Sequence, residues 1–328
     1  MKRRDSALLL ASVLSLVAAA CGGQGGDEAG GTTTTAAPTS SPTATEAEAT
    51  ALSIGAEDFR FTGAPAEIEA GVFDITFEST GEVEHELAFI EIGDTPIDEV
   101  GAALAPTLEG GPFPEFAENL AIPAVAEPGQ TVETTALLAE GSYAIICTFT
   151  GAVPETGATT TTGVGGPEDE GPQGPPHYEL GMVQPLTVTA GATQPVLPEV
   201  DGAITASDYT FDVDVSAGPQ TVNFTNAGPN QVHHGVVFAF NEGVDQAAAE
   251  RALETFFSSE DESTPPPSEI DLETRTPEFG VFSAGLGATY DVEFEALRTY
   301  AVVCFIQDRT GGPPHAIAHD MATIFTVD

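Results

Sequence analysis

The sequence predicts an all-β protein built as two tandem antiparallel β-sandwiches, with a short helix inserted in at least the second. Three observations lead there. First, the body of the chain repeats itself. AEDFRF at 56–61 matches ASDYTF at 206–211, and AGVFDITFESTG at 70–81 matches AGPQTVNFTNAG at 217–228 without a gap. VEHELAFI at 83–90 aligns with VHHGVVFA at 232–239, and SYAIIC at 142–147 with TYAVVC at 299–304. GPPHYELGM at 174–182 aligns with GPPHAIAHDM at 312–321, with one extra residue. Second, apolar residues alternate with polar ones, as in Phe73, Ile75, Phe77 and in Val222, Phe224, the period of a half-buried strand. Third, Gly and Pro interrupt the chain at short intervals, which keeps the elements short.

Taken in order, MKRRDSALLLASVLSLVAAAC opens with a basic stretch, then an apolar run from Ala7 to Ala20 that is too short for a comfortable membrane span. Residues 1–20 read as a secretory signal peptide. The segment Ala18-Ala19-Ala20-Cys21 resembles a bacterial lipobox, in which the cysteine is lipidated and becomes the first mature residue. That resemblance implies an extracytoplasmic protein held to the bacterial membrane through Cys21. Residues 21–50 are rich in Gly, Thr, Ala, Pro, Ser and Glu; they bury too little apolar area to fold and read as a disordered tether. The first domain is expected at 51–190, a Pro/Gly linker at 191–202 and the second domain at 203–328. YAIIC and YAVVC are branched apolar runs suited to buried strands. GVDQAAAERALETFF at 243–257 has helical apolar spacing, and a shorter helix is expected near Ile97–Leu104. The stretches 150–176 and 258–278 read as loops.

The net charge of the 328-residue chain is −43, from 8 Lys plus Arg against 51 Asp plus Glu. Beyond Lys2, Arg3 and Arg4 the chain has no lysine and only scattered arginines. Nucleic acid is therefore excluded as a partner, since phosphate binding needs clustered cations. Such an acidic surface suits a salty or extracellular medium, where screening softens self-repulsion.

The residues with ligand chemistry fall inside the repeated motifs. The histidines are His85, His177, His233, His234, His315 and His319; beyond Cys21 the cysteines are Cys147 and Cys304, and after Met1 the methionines are Met182 and Met321. Each half runs His, Cys, His, Met. This order resembles the cupredoxins, the type 1 blue copper family that includes plastocyanin and azurin. The resemblance implies a Greek-key β-sandwich in each half and one copper per domain. It assigns His85, Cys147, His177 and Met182 to one site, and His233, Cys304, His315 and Met321 to the other. Two imidazoles and a thiolate with a weak thioether suit both oxidation states of copper. FTNAGPNQVHH at 224–234 is similar to the family's Asn-rich turn before a ligand His.

Two ligand choices stay open: His319 competes with His315, and His234 with His233. The family keeps Cys and the second His close together, whereas here 29 residues separate Cys147 from His177 and 10 separate Cys304 from His315. The first site is therefore expected to be the looser. A disulfide between Cys147 and Cys304 and a zinc site are the competing readings, and methionine favours copper over zinc.

No catalytic residue is assigned. A multicopper oxidase needs His-x-His pairs and a His-Cys-His triplet, but Cys147 lies between Ile146 and Thr148, and Cys304 between Val303 and Phe305. The expected function is electron transfer with a redox partner protein. The alternatives are copper scavenging or delivery, and a metal-free cupredoxin-like binding scaffold. Cys21→Ser is expected to release the protein from the membrane fraction into the medium, as read by fractionation of cells expressing the two forms.

Overall fold

The structure, a computed structural model, describes residues 49–150, 174–191, 195–259 and 264–328. The signal segment, Cys21 and the tether up to residue 48 lie outside the described residues. So do 151–173 of the long loop, 192–194 of the linker and 260–263 of the later loop.

The first half runs β1 (Thr50–Glu57), β2 (Arg60–Thr62), β3 (Glu67–Glu69), β4 (Gly71–Ser79), β5 (His85–Glu91), α1 (Ile97–Leu108), β6 (Leu120–Ala126), β7 (Thr131–Leu138), β8 (Gly141–Ile146), a 3-10 turn (His177–Leu180) and β9 (Val183–Thr189). The second half runs β10 (Gly202–Ser207), β11 (Thr210–Asp214), β12 (Gly218–Asn226), β13 (His233–Phe240), α2 (Gln246–Ser258), β14 (Ile270–Asp271), β15 (Glu278–Phe282), β16 (Gly287–Phe294), β17 (Thr299–Val303), α3 (His315–Ala318) and β18 (Ala322–Thr326).

The protein is mostly β-sheet with few helices, as the alternation predicted. In β4, Phe73, Ile75 and Phe77 are buried, and in β12 Val222 and Phe224 are. The two expected helices form, α2 where its apolar spacing placed it and α1 at its counterpart in the first half. The Asp245 side chain caps α2 by accepting from the Ala248 N–H at 2.8 Å, satisfying a donor that the first helical turn leaves free. α1 is longer than expected, running through Pro106 to Leu108.

The sheets differ from the expected antiparallel sandwiches in two ways. β1 pairs parallel with β4, β10 with β12, and β3 with β9. The hairpin β10–β11 explains one case: once β11 has turned back on one side of β10, a third strand laid on the other side runs parallel to it. The second difference is that both sheets continue through both halves. Among the described residues one sheet has the order β11-β10-β12-β16-β7-β4-β1-β2, and the other β18-β17-β13-β15-β6-β5-β8-β9-β3.

The junction joins equivalent strands. β15 meets β6 through Val281↔Ile122 and Phe282↔Ala121, and β16 meets β7 through Ala288↔Ala136 and Thr289↔Thr135, both antiparallel. Since β6 corresponds to β15 and β7 to β16, the halves are related by an approximate two-fold axis through the junction. This pairing satisfies backbone groups that would otherwise be exposed sheet edges. Arg309 reinforces it, donating to the carbonyls of Ala117 (2.6 Å) and Glu118 (2.8 Å) in the first half and to Asn230 O (2.8 Å) in the second.

The space between the sheets holds one core drawn from both halves. Phe224 stacks on Phe279 with ring centroids 5.1 Å apart, and Phe77, Phe89 and Phe282 are buried around them. On the outer face of the second sheet, α1 packs Val100 and Leu104 over Ile90 and Ile146. α2 packs Ala249, Ala252 and Leu253 over Phe238, Ala301 and Val303. Strands β5, β8, β13 and β17 are thus covered on both faces, which is why they read as continuous apolar runs.

Gly280 sits at the junction, where an added Cβ would fall on the Ile122 carbonyl and 2.6 Å from the Tyr290 hydroxyl. Gly280→Ala is expected to cost about 1–3 kcal/mol, the usual range for overpacking, read as a lowered midpoint in urea unfolding.

Candidate metal centres

In each half, three neighbouring strands end at the same place. β5 pairs with β8 and β8 with β9, with Ile146 opposite Val183. His85 begins β5, Cys147 follows the last residue of β8, and Met182 precedes the first of β9. The second half repeats this with β13, β17 and β18, where Val303 pairs with Ala322. His233 begins β13, Cys304 follows β17 and Met321 precedes β18.

Backbone hydrogen bonds then fold the remaining ligand loop over the cysteine. The Cys147 N–H donates to Met182 O at 3.2 Å, Met182 N–H to His177 O at 3.0 Å, and Tyr178 N–H to Cys147 O at 3.1 Å. The second half has the same set: Cys304 to Met321 O (3.2 Å), Met321 to His315 O (3.1 Å) and Ala316 to Cys304 O (2.9 Å).

The outcome is two groups, His85–Cys147–His177 and His233–Cys304–His315, each with ligand atoms within 4.8 Å of one another. In the first, Cys147 Sγ lies 4.0 Å from His85 Nδ1 and 3.4 Å from His177 Nδ1. In the second, Cys304 Sγ lies 3.8 Å from His233 Nδ1 and 3.5 Å from His315 Nδ1. The first site is not looser. The loop's extra length lies beyond a β-bridge between Thr150 and Pro176, matched by one between Gln307 and Pro314, so both loops close alike. Met182 and Met321 are fully buried at the same strand ends.

Donors with metal bonds of about 2.0–2.3 Å, spread about a trigonal plane, stand about 3.7 Å apart. The Nδ1–Sγ separations bracket that value. The imidazoles turn Nδ1 to the sulfur, while the buried Nε2 atoms of His85, His177, His233 and His315 have no hydrogen-bond partner. Asp58 lies 4.0 Å from His85 Nε2, and Asp308 3.4 Å from His315 Nε2, outside hydrogen-bond geometry. Two imidazoles and a thiol, with a thioether beside them, form a donor set that fits copper, one per half. Both cysteines are free and buried, with no disulfide between them.

The two competing histidines lie outside these groups. His319 is half-buried, stacks on Tyr209 at 3.7 Å between centroids and pairs its Nε2 with Asp308 at 3.0 Å. His234 is buried with Nδ1 3.7 Å from Cys304 Sγ, but it follows His233 on the strand and so belongs to the opposite face.

Sequence reasoning missed the residues that cover the sites. Phe59 and Tyr209 occupy equivalent tight turns with φ of 62° and 71°, a left-handed backbone that is uncommon outside glycine. Phe59 sets its ring 5.0 Å from that of His177, and Tyr209 its ring 5.1 Å from that of His315. Tyr209 also donates to Asp308 at 2.7 Å. The matching AEDF and ASDY motifs carried the signal, but their repetition alone reads as strand pattern. Glu86 was missed too. Buried behind His85, it accepts from Thr148 N–H at 2.6 Å and Oγ1 at 2.5 Å, fixing the residue after Cys147.

Burial sets the protonation states. It pushes the Cys304 thiol up to about 12 and Cys147 further in the same direction, helped by the charge of Glu86. It lowers His177 and His315 to about 4 and His233 and His234 to about 3; neighbouring imidazoles add to this at His177, His233 and His234. His85 is lowered by burial as well. The metal-free sites therefore hold neutral imidazoles and protonated thiols. A metal entering them must displace the thiol proton, so its affinity rises with pH.

No protein-family model matches the chain, and no curated protein matches it. Among solved structures, an auracyanin from Roseiflexus castenholzii is 19% identical over 43% of this chain and 98% of its own, with a TM-score of 0.27. Auracyanin A from Chloroflexus aurantiacus, described as a "blue" copper protein, is 24% identical over 42% of this chain and 98% of its own, with a TM-score of 0.26. A copper nitrite reductase from Nitrosomonas europaea is 14% identical over 86% of this chain and 94% of its own, with a TM-score of 0.21. TM-scores this low leave the chain's own residues to carry its function.

Imidazoles that stay neutral in the fold but ionise in the unfolded chain destabilise the metal-free protein as pH falls from about 6.5 towards 4. Glu84, raised to about 7 by burial and by Glu127, Glu278 and Glu86, acts in the opposite sense, giving stability that is lost as pH rises from 4.5 through 7, and Glu86 and Glu278, both raised by burial, act in the same sense as Glu84. The five depressed imidazoles are expected to prevail. Urea midpoints of the metal-free protein should fall between pH 6.5 and 4, and His234→Gln should flatten the fall by up to about 1.4 kcal/mol per pH unit, one proton's share.

Proposed function

We propose that the protein is an extracytoplasmic electron carrier with two type 1 copper sites, each half being a Greek-key, cupredoxin-like domain. The observation that carries this reading is the convergence of two Nδ1 atoms on one buried Sγ in each half, beside a buried methionine. Bound copper would supply one-electron chemistry at each site. His85, Cys147, His177 and Met182 would hold it in the first, and His233, Cys304, His315 and Met321 in the second.

The protein's own residues support electron transfer in three ways. They exclude water, since all eight proposed ligands are buried. They keep the imidazoles neutral and available. They are fixed by backbone hydrogen bonds at strand ends, which would limit ligand movement on a change of oxidation state. The same burial disfavours a delivery role, which needs ligands a partner can reach. Oxidase chemistry would need further histidines, and His234 and His319 are the two left over.

The proposed location rests on the sequence reading of residues 1–50. A signal at 1–20, lipidation of Cys21 and a tether at 21–50 would hold the acidic body outside the bacterial membrane, where a redox partner protein would meet it. Among the described residues no helix is long and apolar enough to cross a membrane.

Copper added to the metal-free body is expected to give the intense visible thiolate-to-copper absorption of a type 1 site. Two equivalents should bind per chain, and Cys147→Ser or Cys304→Ser should each remove about half of the copper and of the band. Tight copper binding without that band would overturn the type 1 assignment.

A further inference from the structure

The two sites share ligands and backbone but differ behind the cysteine, at the residue after the first ligand histidine. In the first half this is Glu86, whose carboxyl turns to the Thr148 N–H and Oγ1, so that its side chain makes no hydrogen bond to Cys147. In the second half it is His234, whose Nδ1 lies 3.7 Å from Cys304 Sγ. The backbone N–H contact to sulfur is present in both: Glu86 N–H donates to Cys147 Sγ at 3.4 Å, and His234 N–H does the same for Cys304. The side chain is therefore the difference.

We infer that His234 is a positioning residue that donates its Nδ1–H to the Cys304 thiolate, and that this bond holds the second copper site at a higher reduction potential than the first. The inference rests on the copper reading above.

A metal-bound thiolate can only accept, so the nitrogen facing it must carry the proton. His234 lies outside the three-ligand group and on the other face of its strand, which leaves the sulfur, not the metal, as its partner. A hydrogen bond to the thiolate draws electron density from the metal and favours the reduced state; hydrogen bonding around the cysteine sulfur is an established lever on such potentials. Each site has a carboxylate near a ligand Nε2, Asp58 in the first and Asp308, already engaged with Tyr209 and His319, in the second, while Glu84 acts on Cys147 without a counterpart at Cys304. An electron shared within one chain would then rest mainly on the second site.

The test uses the copper-loaded protein and two single-site forms, Cys304→Ser retaining the first site and Cys147→Ser the second. Each is titrated with redox mediators while the thiolate band is followed. The second site should be the more positive by at least tenfold in the reduction equilibrium, about 59 mV for one electron. In the Cys147→Ser form, His234→Phe should lower the potential by a similar factor. His234→Gln, whose amide N–H can take the imidazole's place, should restore most of it. Coincident or reversed potentials of the two single-site forms overturn the inference, as does an unchanged potential in His234→Phe. If His234→Phe does not fold, the comparison of the two single-site forms decides. Failure of the parent protein to take up copper or to show the thiolate band would instead contradict the copper reading itself.

Discussion

The backbone hydrogen bonds between the cysteine and the methionine of each ligand loop are the constraint on which the sites depend. Cys147 donates to Met182 O and Met182 to His177 O, and Cys304, Met321 and His315 repeat the pattern. These bonds continue the ladders β8–β9 and β17–β18 by one step past their ends, so the most regular part of the fold dictates where the ligands stand. What lies between Cys and His beyond the bridge is free to lengthen, because closing a longer loop costs little once its base is fixed. The two loops differ greatly in length and yet deliver the same Nδ1–Sγ geometry.

Holding the ligands this way has an energetic cost that the rest of the fold offsets. Four imidazole Nε2 atoms are buried without partners, and two thiols lie in surroundings that disfavour their ionised form. Unpartnered buried polar groups cost about 1–3 kcal/mol each. The core shared by both halves, the helices over the outer face of the second sheet and the paired junction strands supply the compensating burial. Metal binding would add its free energy to that of folding, since the donor group is assembled only in the folded chain.

Much of this was legible in the sequence. The repeated order of His, Cys, His and Met pointed to the residues that converge, because ten rare side chains do not fall into matching motifs twice by chance. Apolar spacing placed α2, and the apolar runs YAIIC and YAVVC placed the buried strands β8 and β17. Long-range arrangement was not legible. The pairing of β6 with β15 and of β7 with β16 depends on edges meeting across more than a hundred residues, and no local pattern encodes it. Glu86, and the side of the sulfur on which His234 stands, were hidden for a related reason. Each is one residue past a ligand, and only the strand's alternation shows that it faces the other side of the sulfur. Phe59 and Tyr209 stand at left-handed turn positions that a repeat comparison marks as similar without saying where their rings point.

The central claim is that each half binds one copper between two Nδ1 atoms and one thiolate. Diffraction from crystals of the copper-loaded body, with anomalous data collected on either side of the copper absorption edge, tests it most directly. Two anomalous peaks per chain are predicted. One should lie within bonding distance of His85 Nδ1, Cys147 Sγ and His177 Nδ1, and the other within bonding distance of His233 Nδ1, Cys304 Sγ and His315 Nδ1. A single peak, a peak bonded to His234 or His319 in place of these ligands, or copper found only among surface carboxylates would contradict it.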